Sequence, residues 1–427
     1  MLTERPTPTP RYSIAGERFR ARTGVRRIMQ DIEQTLSDRN AAGFINLSAG
    51  NPLRIAPVAA MWRRFLTEEL QRETALDEAI GRYGSSRGYF PFIAAIVDCY
   101  NEHYGWNITE KNVVITPGSQ SGLFYVLNAF CGPRADGGTV RVCYPQNPDY
   151  TGYQGLLWEP SHVVALRPQI ELTGEHRFRY GLDIAALADV DDVGCFVLSR
   201  PCNPSGNVAS DAEMATLMAR AEELDVPLIV DGAYGPPFPN LVEVPMHLTW
   251  GPHVIHSTSL SKCGLPGERI GILIGDERWI ESIEAFQSNA CLHSSRLGQL
   301  VASQAIATGS LERLASEEIR PLYARKRAIL QEAMQAQMPA QTAWRLHEAH
   351  GALFSWLWVE GLPFEDGWAA YERLKAEGVL CVPGVAFFQG MPATWRHQHE
   401  TVRISLTASD DDLVEGVRRI ARAFGAA

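Results

Sequence analysis

Short apolar runs alternate with amphipathic stretches through the middle of the chain. The apolar runs are rich in valine and isoleucine and lack strict polar alternation, a pattern typical of strands buried on both faces of a sheet. We predict seven such strands, at Asn112–Thr116, Val140–Tyr144, Val163–Leu166, Cys195–Ser199, Pro227–Val230, Val254–His256 and Ile270–Ile274.

Two of the stretches between these runs carry clear helix signals. In Leu123–Phe130 the apolar residues repeat at i, i+3, i+4 and i+7, which places them on one helix face. Ser210 followed by Glu213 has the spacing of a capping box at the start of a second helix. Alternating strands and helices predict an α/β fold with a mostly parallel sheet covered by helices.

The alternation stops near Gly309, and the later strands and helices indicate a smaller α+β domain. Since 427 residues exceed the roughly 250–300 at which a single core stops growing, two domains are expected. We therefore divide the chain into a flexible lead-in (1–23), an N-terminal segment that packs with the small domain (24–70), a large domain (71–309) and a small C-terminal domain (310–427).

The composition argues against nucleic-acid-binding and membrane-spanning proteins. The chain has 39 Lys and Arg against 49 Asp and Glu, a formal net charge of −10, which argues against a nucleic-acid partner. No apolar run is long enough to predict a membrane span, and the proline-containing start lacks the apolar core of a signal peptide. The 8 cysteines form no C-x-x-C pair, so we expect reduced thiols, no metal site and a cytoplasmic location.

One loop combines a lysine with phosphate-binding residue types. The sequence Ser257–Arg269 reads S-T-S-L-S-K-C-G-L-P-G-E-R and follows a predicted strand. Its hydroxyls and Arg269 suit a phosphate group, whereas Lys262 offers an amine for a Schiff base. A solvent-exposed lysine beside a polar turn would give the same local pattern.

Other predicted strands also end in polar residues. Asp231 lies at the carboxyl end of its strand, where parallel sheets bind ligands, and a buried acid needs a cationic partner; a helix N-cap is the alternative. The segment Thr116–Ser121 (T-P-G-S-Q-S) would form an anion site at a helix N-terminus, or a simple cap at Ser119. Arg200–Asn207 (R-P-C-N-P-S-G-N) is on its own a common turn signal.

Taken in order, these signals resemble the fold-type-I pyridoxal-phosphate enzymes of the aspartate aminotransferase superfamily, and more narrowly the valine–pyruvate aminotransferase family. The resemblance runs from about Gly24 to Arg418. The matching stretches include S-A-G-N-P (Ser48–Pro52), R-A-D-G (Arg134–Gly137), A-Y-G-P-P-F-P (Ala233–Pro239) and V-P-G-V-A-F-F (Val382–Phe388). The resemblance implies a large cofactor-binding domain, a smaller domain and a homodimer with shared active sites.

The resemblance also implies a role for each matching residue around the cofactor, pyridoxal 5'-phosphate. Lys262 would hold it as an internal aldimine and then move the α-proton of the substrate. Asp231 would pair with the pyridinium nitrogen and keep it protonated. Tyr234 and Asn203 would hydrogen-bond the phenolic oxygen of the ring, and Tyr150 would stack on the ring face.

The resemblance assigns the remaining positions to the phosphate and the substrate. The phosphate would be held by Ser119, Gln120, Ser259 and Arg269, with Tyr83 of the partner subunit. The substrate α-carboxylate would bind Arg403 through a bidentate fork, with the Gly50 backbone and Asn203 nearby. The small-molecule partners would be an α-amino acid and an α-keto acid.

Two places depart from the family pattern. Asn289–Arg296 is polar and basic where the family tends toward small apolar residues, and Arg54 adds another cation. Polar and basic side chains do not obviously suit a pocket for valine, which is recognised by apolar contacts. The side chains of Cys291, His293 and Arg296 would equally well face solvent or a partner chain.

Three functions therefore remain open at this point. The first is an aminotransferase acting on alanine or valine and an α-keto acid. The alternative is an enzyme of the same scaffold that performs γ-elimination or replacement, cyclisation or C–C bond formation on an S-adenosylmethionine-like amino acid in a biosynthetic pathway. A cofactor-sensing transcription regulator would need a DNA-binding domain, for which we expect the residues before Gly24 to be too few.

Overall fold

The computed structural model describes residues 11–20, 24–37, 43–72, 74–159 and 161–425. Its helices are α1 (Ile14–Arg20), α2 (Gly24–Ser37), α3 (Ala56–Leu70), α4 (Ala75–Gly81), α5 (Phe90–Tyr104), α6 (Ser119–Phe130), α7 (Ile184–Ala188), α8 (Asp211–Glu223), α9 (Glu277–Cys291), α10 (Leu297–Ala307), α11 (Ser310–Leu314), α12 (Arg320–Gln337), α13 (Gly367–Ala376) and α14 (Asp410–Gly425).

The strands fall into one short pair and two larger sheets. They are β1 (Ile45–Asn46), β2 (Val113–Pro117), β3 (Gly132–Pro133), β4 (Thr139–Tyr144), β5 (Val163–Ala165), β6 (Gln169–Gly174), β7 (Arg177–Gly181), β8 (Val193–Ser199), β9 (Leu228–Asp231), β10 (Val254–Ser259), β11 (Ile270–Gly275), β12 (Trp344–His347), β13 (Phe354–Val359), β14 (Val379–Leu380), β15 (Val382–Pro383) and β16 (Thr401–Ser405).

The larger sheet confirms the predicted α/β fold. Its strand order is β2-β11-β10-β9-β8-β4-β3, with β5 beside β4. The strands β10, β9, β8, β4 and β5 pair in parallel, whereas β11 runs antiparallel to both of its neighbours. Each of the seven predicted strands is present, with shifted ends. The carboxyl ends of β2, β4, β8, β9 and β10 therefore lie along one edge.

The helices on this sheet form for the reasons that the sequence indicates. In α6, Leu123, Val126 and Leu127 are buried on one face. At the start of α8 the Ser210 hydroxyl accepts from the Glu213 amide, while the Glu213 carboxylate accepts from the Ser210 amide. This reciprocal capping satisfies two amides that the first helical turn leaves free. Burial of each apolar side chain adds roughly 1.5–3 kcal/mol.

The second sheet combines strands that are far apart in the sequence. Its order is β15-β16-β13-β12-β7-β6. The hairpin β6–β7 joins it through a parallel pairing of Arg177 with Leu346. The hairpin lies within the predicted large domain (71–309), whereas the other strands of its sheet lie within the predicted small domain (310–427).

The N-terminal segment contacts the C-terminal part of the chain. Strand β1 pairs in parallel with β14, with Ile45 opposite Val379. The side chain of Lys375 in α13 forms an ion pair of 2.8 Å with Asp31 in α2. These contacts are those expected of a segment that packs with the small domain, although the division into domains itself stays a prediction.

Part of the predicted lead-in is helical. In α1 the Phe19 ring meets the Trp158 ring edge-on at a centroid distance of 5.2 Å, and Arg18 forms an ion pair of 2.5 Å with Glu159. Residues 11–13 precede this helix without regular secondary structure. Residues 1–10 and 21–23 of the predicted lead-in lie outside the described residues. Among the helices described, none is both long and apolar enough to cross a membrane.

Candidate active site

Most of the predicted site residues lie along the carboxyl edge of the large sheet. Asp231 is the last residue of β9, and Ser199 and Ser259 are the last residues of β8 and β10. The strand register sets Asp231 directly opposite both Ser199 and Ser257. Parallel strands thus bring together residues that are tens of positions apart in the sequence, at the edge where such sheets bind ligands.

Lys262 lies on a single helical turn immediately after β10. Its Nζ atom donates a hydrogen bond of 2.7 Å to the Gly50 carbonyl and lies 5.7 Å from the centroid of the Tyr234 ring. The predicted substrate-side glycine, the predicted Schiff-base lysine and the predicted ring-contacting tyrosine are therefore neighbours.

Burial and two neighbouring arginines favour the neutral form of the Lys262 amine. Burial, followed by the charges of Arg403 and Arg269, lowers the pKa of Lys262 to about 8, while Asp231 acts in the opposite direction. Both arginines and the aspartate are predicted site residues, so their influence on one amine reflects their convergence. An amine that loses its proton near neutral pH is available as a nucleophile or a base.

Asp231 is a buried carboxylate with neutral hydrogen-bond partners. One oxygen accepts from the Tyr153 hydroxyl at 2.9 Å, and the other accepts from the Ala233 amide at 3.2 Å. Burial raises the pKa of Asp231 to about 6, against the opposing effects of these hydrogen bonds and of Lys262. A cationic group beside the carboxylate would remove this penalty, because it would stabilise the charged form.

The Tyr150 ring occupies the position that a side chain at residue 152 would need. A Cβ atom built on Gly152 would lie 2.3 Å from the Tyr150 ring, so only glycine fits there. The Tyr153 ring meets the Tyr150 ring edge-on at a centroid distance of 5.3 Å. Burial raises the pKa of the Tyr150 phenol. The charge of Asp231 raises this pKa further, and the charge of Arg403 lowers it. Tyr150 therefore lies among the other site residues.

An anion-binding loop forms where β2 passes into α6. Helix α6 begins at Ser119 after Gly118, whose φ of +82° favours glycine. A Cβ on Gly118 would lie 2.4 Å from Nη2 of Arg269, and a Cβ on Gly271 would lie 2.4 Å from the Ser119 amide nitrogen. These glycines let Arg269 approach the first turn of the helix, whose amides have no partner within the helix. Such a helix start attracts anions.

Three further predicted residues surround this loop. The Ser119 hydroxyl donates to the Thr258 carbonyl at 2.8 Å, which connects α6 to β10. The Ser259 hydroxyl accepts from the Ser261 amide at 2.9 Å and is buried. The Gln120 side chain donates to the Gly152 carbonyl at 3.4 Å, next to the Tyr150 ring.

Arg403 is a buried cation in the middle of β16. Its Nη2 donates to the Ser48 carbonyl at 2.8 Å, and its Nη1 donates to Oδ1 of Asn203 at 3.0 Å. The guanidinium lies 4.1 Å from the Phe354 ring centroid. Burial lowers the pKa of Arg403 to about 10. The Nε atom is buried without a hydrogen-bond partner among the described residues, which leaves a donor for an acidic ligand.

Sequence reasoning missed a supporting layer beneath Tyr150 and Asn203. The Asp149 carboxylate accepts from the Tyr150 amide at 2.7 Å and from the Ser199 amide at 2.9 Å, and also from the Ser199 hydroxyl. That hydroxyl in turn accepts from the Asn203 amide at 3.2 Å. Burial raises the pKa of Asp149 to about 7. The only signal for Asp149 and Tyr153 was their place in the stretch P-D-Y-T-G-Y.

The structure leaves Tyr83 apart from the residues above. Its side chain is 86% exposed, and its ring meets the His293 ring at a centroid distance of 6.0 Å. Arg296 donates to the carbonyls of Glu78 at 3.1 Å and Arg82 at 3.5 Å. Arg296 therefore connects the surface loop before it to α4.

A cavity of about 200 Å³ opens beside Lys262. Its lining is mostly apolar and includes Leu53, Ile55, Val58, Trp62 and Ile319, together with Arg54. Trp62 is held in place because its Nε1 donates to the Cys263 carbonyl at 2.8 Å. The space next to the amine thus favours an aliphatic group.

Comparisons with known proteins agree with this geometry. The sequence profile described as aminotransferase class I and II matches residues 42–420. The valine–pyruvate aminotransferase of Escherichia coli K12 is 34% identical over 410 residues, which cover 96% of this chain and 97% of that protein.

Two crystal structures are similar over nearly the whole chain. A protein from Psychrobacter arcticum 273-4, provisionally named an amino-acid aminotransferase, has a TM-score of 0.93 at 32% identity, covering 98% of this chain and 99% of that one. The valine–pyruvate aminotransferase of Salmonella typhimurium LT2 has a TM-score of 0.84 at 32% identity, covering 94% and 98%. The chain therefore belongs to the class I and II aminotransferases, a family of pyridoxal-phosphate enzymes, and is itself an aminotransferase.

Proposed function

We propose that the protein binds pyridoxal 5'-phosphate at Lys262 and moves an amino group between a small aliphatic α-amino acid, alanine or valine, and an α-keto acid. One observation carries this proposal: the amine of Lys262 has a pKa lowered to about 8 and lies among Asp231, Arg269 and Arg403. When bound, the cofactor supplies an electron sink for negative charge at the substrate α-carbon.

The residues fit this cofactor at both of its ends. The start of α6 and Arg269 would bind the phosphate, since Gly118 and Gly271 leave the backbone and the guanidinium close together. At the other end, the buried carboxylate of Asp231 has no cationic hydrogen-bond partner among the described residues, and the protonated ring nitrogen would provide one.

Further residues would orient the ring and complete the phosphate site. Tyr150 would lie against the ring face, its position fixed by Gly152 and by a hydrogen bond of 2.5 Å from Gln389 to its carbonyl. The residues proposed to contact the phenolic oxygen are Tyr234 and Asn203. Those proposed to join Arg269 at the phosphate are Ser119, Gln120 and Ser259.

The substrate would bind between Arg403 and Lys262. Arg403 already donates to Asn203 and to the Ser48 carbonyl, and its Nε, which has no partner among the described residues, would bind the α-carboxylate. The Lys262 amine donates a hydrogen bond to the Gly50 carbonyl, so the proposed base lies next to the proposed substrate-side glycine. Lys262 would take the proton from the substrate α-carbon, a task suited to a base with a pKa near neutral.

The cavity supports a small aliphatic side chain. Its apolar lining next to Lys262 includes Leu53, Ile55 and Val58, and the relative from Escherichia coli is named for valine and pyruvate. The basic character of Asn289–Arg296 weighs little against this assignment, because Arg296 is engaged by backbone carbonyls. The relatives reported above are all named as aminotransferases and lend no support to the alternative reaction.

We also infer a homodimer. Tyr83 is exposed, and so are Ile80 and Phe90, which lie within seven residues of it in the sequence, and Leu292, which precedes its ring neighbour His293. Exposed apolar groups that gather in one region are typical of an interface. Tyr83 would then contribute to the phosphate site across the dimer, whereas the cytoplasmic location and a biosynthetic role stay predictions.

The lysine assignment is tested by replacing Lys262 with alanine. Borohydride treatment of the wild-type holoenzyme is expected to fix the cofactor to the peptide that contains Lys262, as read by mass spectrometry. Transfer from valine to pyruvate should fall at least ~100-fold in the variant, because the base is lost. The exposed Lys111→Ala variant serves as the matched control. Cofactor fixed to another lysine would overturn the assignment.

The reaction type is tested separately with the wild-type enzyme. Incubation with valine and pyruvate should yield alanine and the keto acid of valine in equal amounts. Release of a thioether from an adenosylmethionine-type substrate, without this exchange, would favour the alternative instead.

A further inference from the structure

Three metal-ligating side chains converge outside the active site. Cys99 and His103 lie one turn apart on the same face of α5, and Glu312 lies on α11. Sγ of Cys99 is 2.6 Å from Oε1 of Glu312, and Nε2 of His103 is 3.1 Å from Oε2 of Glu312. The ligand atoms of the three residues all lie within 4.8 Å of one another.

The surroundings of the cluster allow both retention and entry of an ion. Cys99 belongs to the buried core, whereas the side chain of Glu312 is 18% exposed and that of His103 is 46% exposed. The cluster thus opens toward solvent on the His103 side, where a water molecule could complete the coordination of an ion.

The charges at the cluster favour a cation. The Cys99 thiol donates a short hydrogen bond of 2.6 Å to the Glu312 carboxylate. Among the described residues, the basic side chain that faces the Glu312 carboxylate is that of His103. A divalent ion would balance the thiolate and the carboxylate together.

We propose that Cys99, His103 and Glu312 bind a divalent transition-metal ion, with zinc as the expected metal and water as its fourth ligand. A thiolate, an imidazole and a carboxylate are the ligand types that zinc uses in four-coordinate sites. On binding, a metal–sulfur bond forms, and the thiol proton passes to solvent through the open side. No sequence pattern indicated this site, because Glu312 follows Cys99 by 213 residues.

A metal here would connect two elements that carry none of the proposed catalytic residues. Helix α5 packs against α10, and α11 follows α10 and leads through a π-helical turn (Ala315–Ile319) into α12. The ion would fix α5 to the point where the chain leaves the large sheet for the C-terminal sheet. Its expected effect is on stability, through binding to the folded state alone.

The proposal is tested with tag-free holoenzyme and Co²⁺ as a spectroscopic probe. One equivalent of Co²⁺ should give the visible bands of a four-coordinate ion, and zinc should displace it. In Cys99→Ser and His103→Asn the dissociation constant should rise more than about tenfold, since even outer partners of a metal site contribute 10–100-fold. The exposed Cys291→Ser variant should titrate like wild type. Zinc should also raise the melting temperature of the wild type but not of His103→Asn.

Two results would overturn the proposal. One is the absence of four-coordinate Co²⁺ bands from the wild-type protein. The other is an unchanged Co²⁺ titration in His103→Asn, a half-exposed position at which the fold should tolerate the change. Because the readout is metal binding, failure here would leave the assignment of Lys262 untouched.

Discussion

Arg269 and Arg403 both act on the charge of Lys262 but have very different surroundings. Arg269 is exposed just before β11, with a backbone φ of +54° and a hydrogen bond of 3.4 Å to the Pro266 carbonyl. Arg403 is buried within β16, and burial lowers its pKa to about 10. Both charges lower the pKa of Lys262, and Arg403 does so more strongly.

The difference indicates how each cation is kept available for an anion. Arg269 remains hydrated, so backbone geometry at Gly118 and Gly271 is enough to direct it toward the start of α6. Arg403 has lost its hydration and is compensated by the neutral acceptors Asn203 and Ser48. A buried cation with such partners gains most from a carboxylate ligand, because the ligand replaces the missing counter-charge.

The largest effect is expected at the buried arginine. Arg403→Leu should lower kcat/KM for valine by roughly 10²–10³-fold, since loss of a buried charge contact costs about 3–4 kcal/mol. Cofactor binding should be retained, as measured by absorbance. Arg403→Lys is the matched control: it keeps the charge but loses the fork, and should recover only part of the activity. Full activity in Arg403→Leu would assign the substrate carboxylate elsewhere.

A smaller effect of a different kind is expected at the exposed arginine. Arg269→Ala should weaken cofactor binding by about 10–100-fold, because a hydrogen bond to a charged group contributes ~1.5–3 kcal/mol. At saturating cofactor, the KM for valine should stay close to that of wild type. Arg278→Ala removes another exposed arginine, on α9, and should leave cofactor affinity unchanged. If KM rose while cofactor affinity held, the two arginines would have to exchange roles.

The smallest effect concerns the amine of Lys262, whose pKa both arginines lower. Removing either positive charge should raise the pKa of Lys262 from about 8, more in Arg403→Leu than in Arg269→Ala. Each shift should stay below ~1 pH unit, or ~1.4 kcal/mol. Since only the neutral amine reacts, the rate of cofactor uptake by apoprotein should rise with pH, and its midpoint should move upward in both variants. A downward shift, or the reverse order, would contradict the arrangement described above.

The sequence allowed the main site residues to be predicted because local patterns carried them. Asp231 and Lys262 each follow an apolar run, and the ends of parallel strands must lie along one edge of a sheet. The capping box at Ser210 was equally local, since its partners are three residues apart. Such features depend on short stretches of chain, and the structure contains them with small shifts at the strand ends.

The parts that escaped prediction depend on distant contacts. Tyr153 meets Asp231 across 78 positions, and no periodicity reveals such a pair. The hairpin β6–β7 reads as part of the large domain until it pairs with β12, far along the chain. For Arg296 the sequence left a pocket, solvent and a partner chain open, whereas its hydrogen bonds are to carbonyls in and next to α4. Side-chain type indicates what a residue can do, but not which neighbour it meets.

The pairing of β1 with β14 has a mechanical consequence. The Ser48 and Gly50 carbonyls, just after β1, accept hydrogen bonds from Arg403 and Lys262 respectively. A rotation of the C-terminal sheet against the large sheet would carry Ser48 and Arg403 as one body and leave their bond intact. The same rotation would stretch the bond between Gly50 and Lys262, because Lys262 follows β10. Hinge motion would thus release or restrain the reactive amine, and it would also stretch the bond from Arg403 to Asn203, which follows β8 of the large sheet.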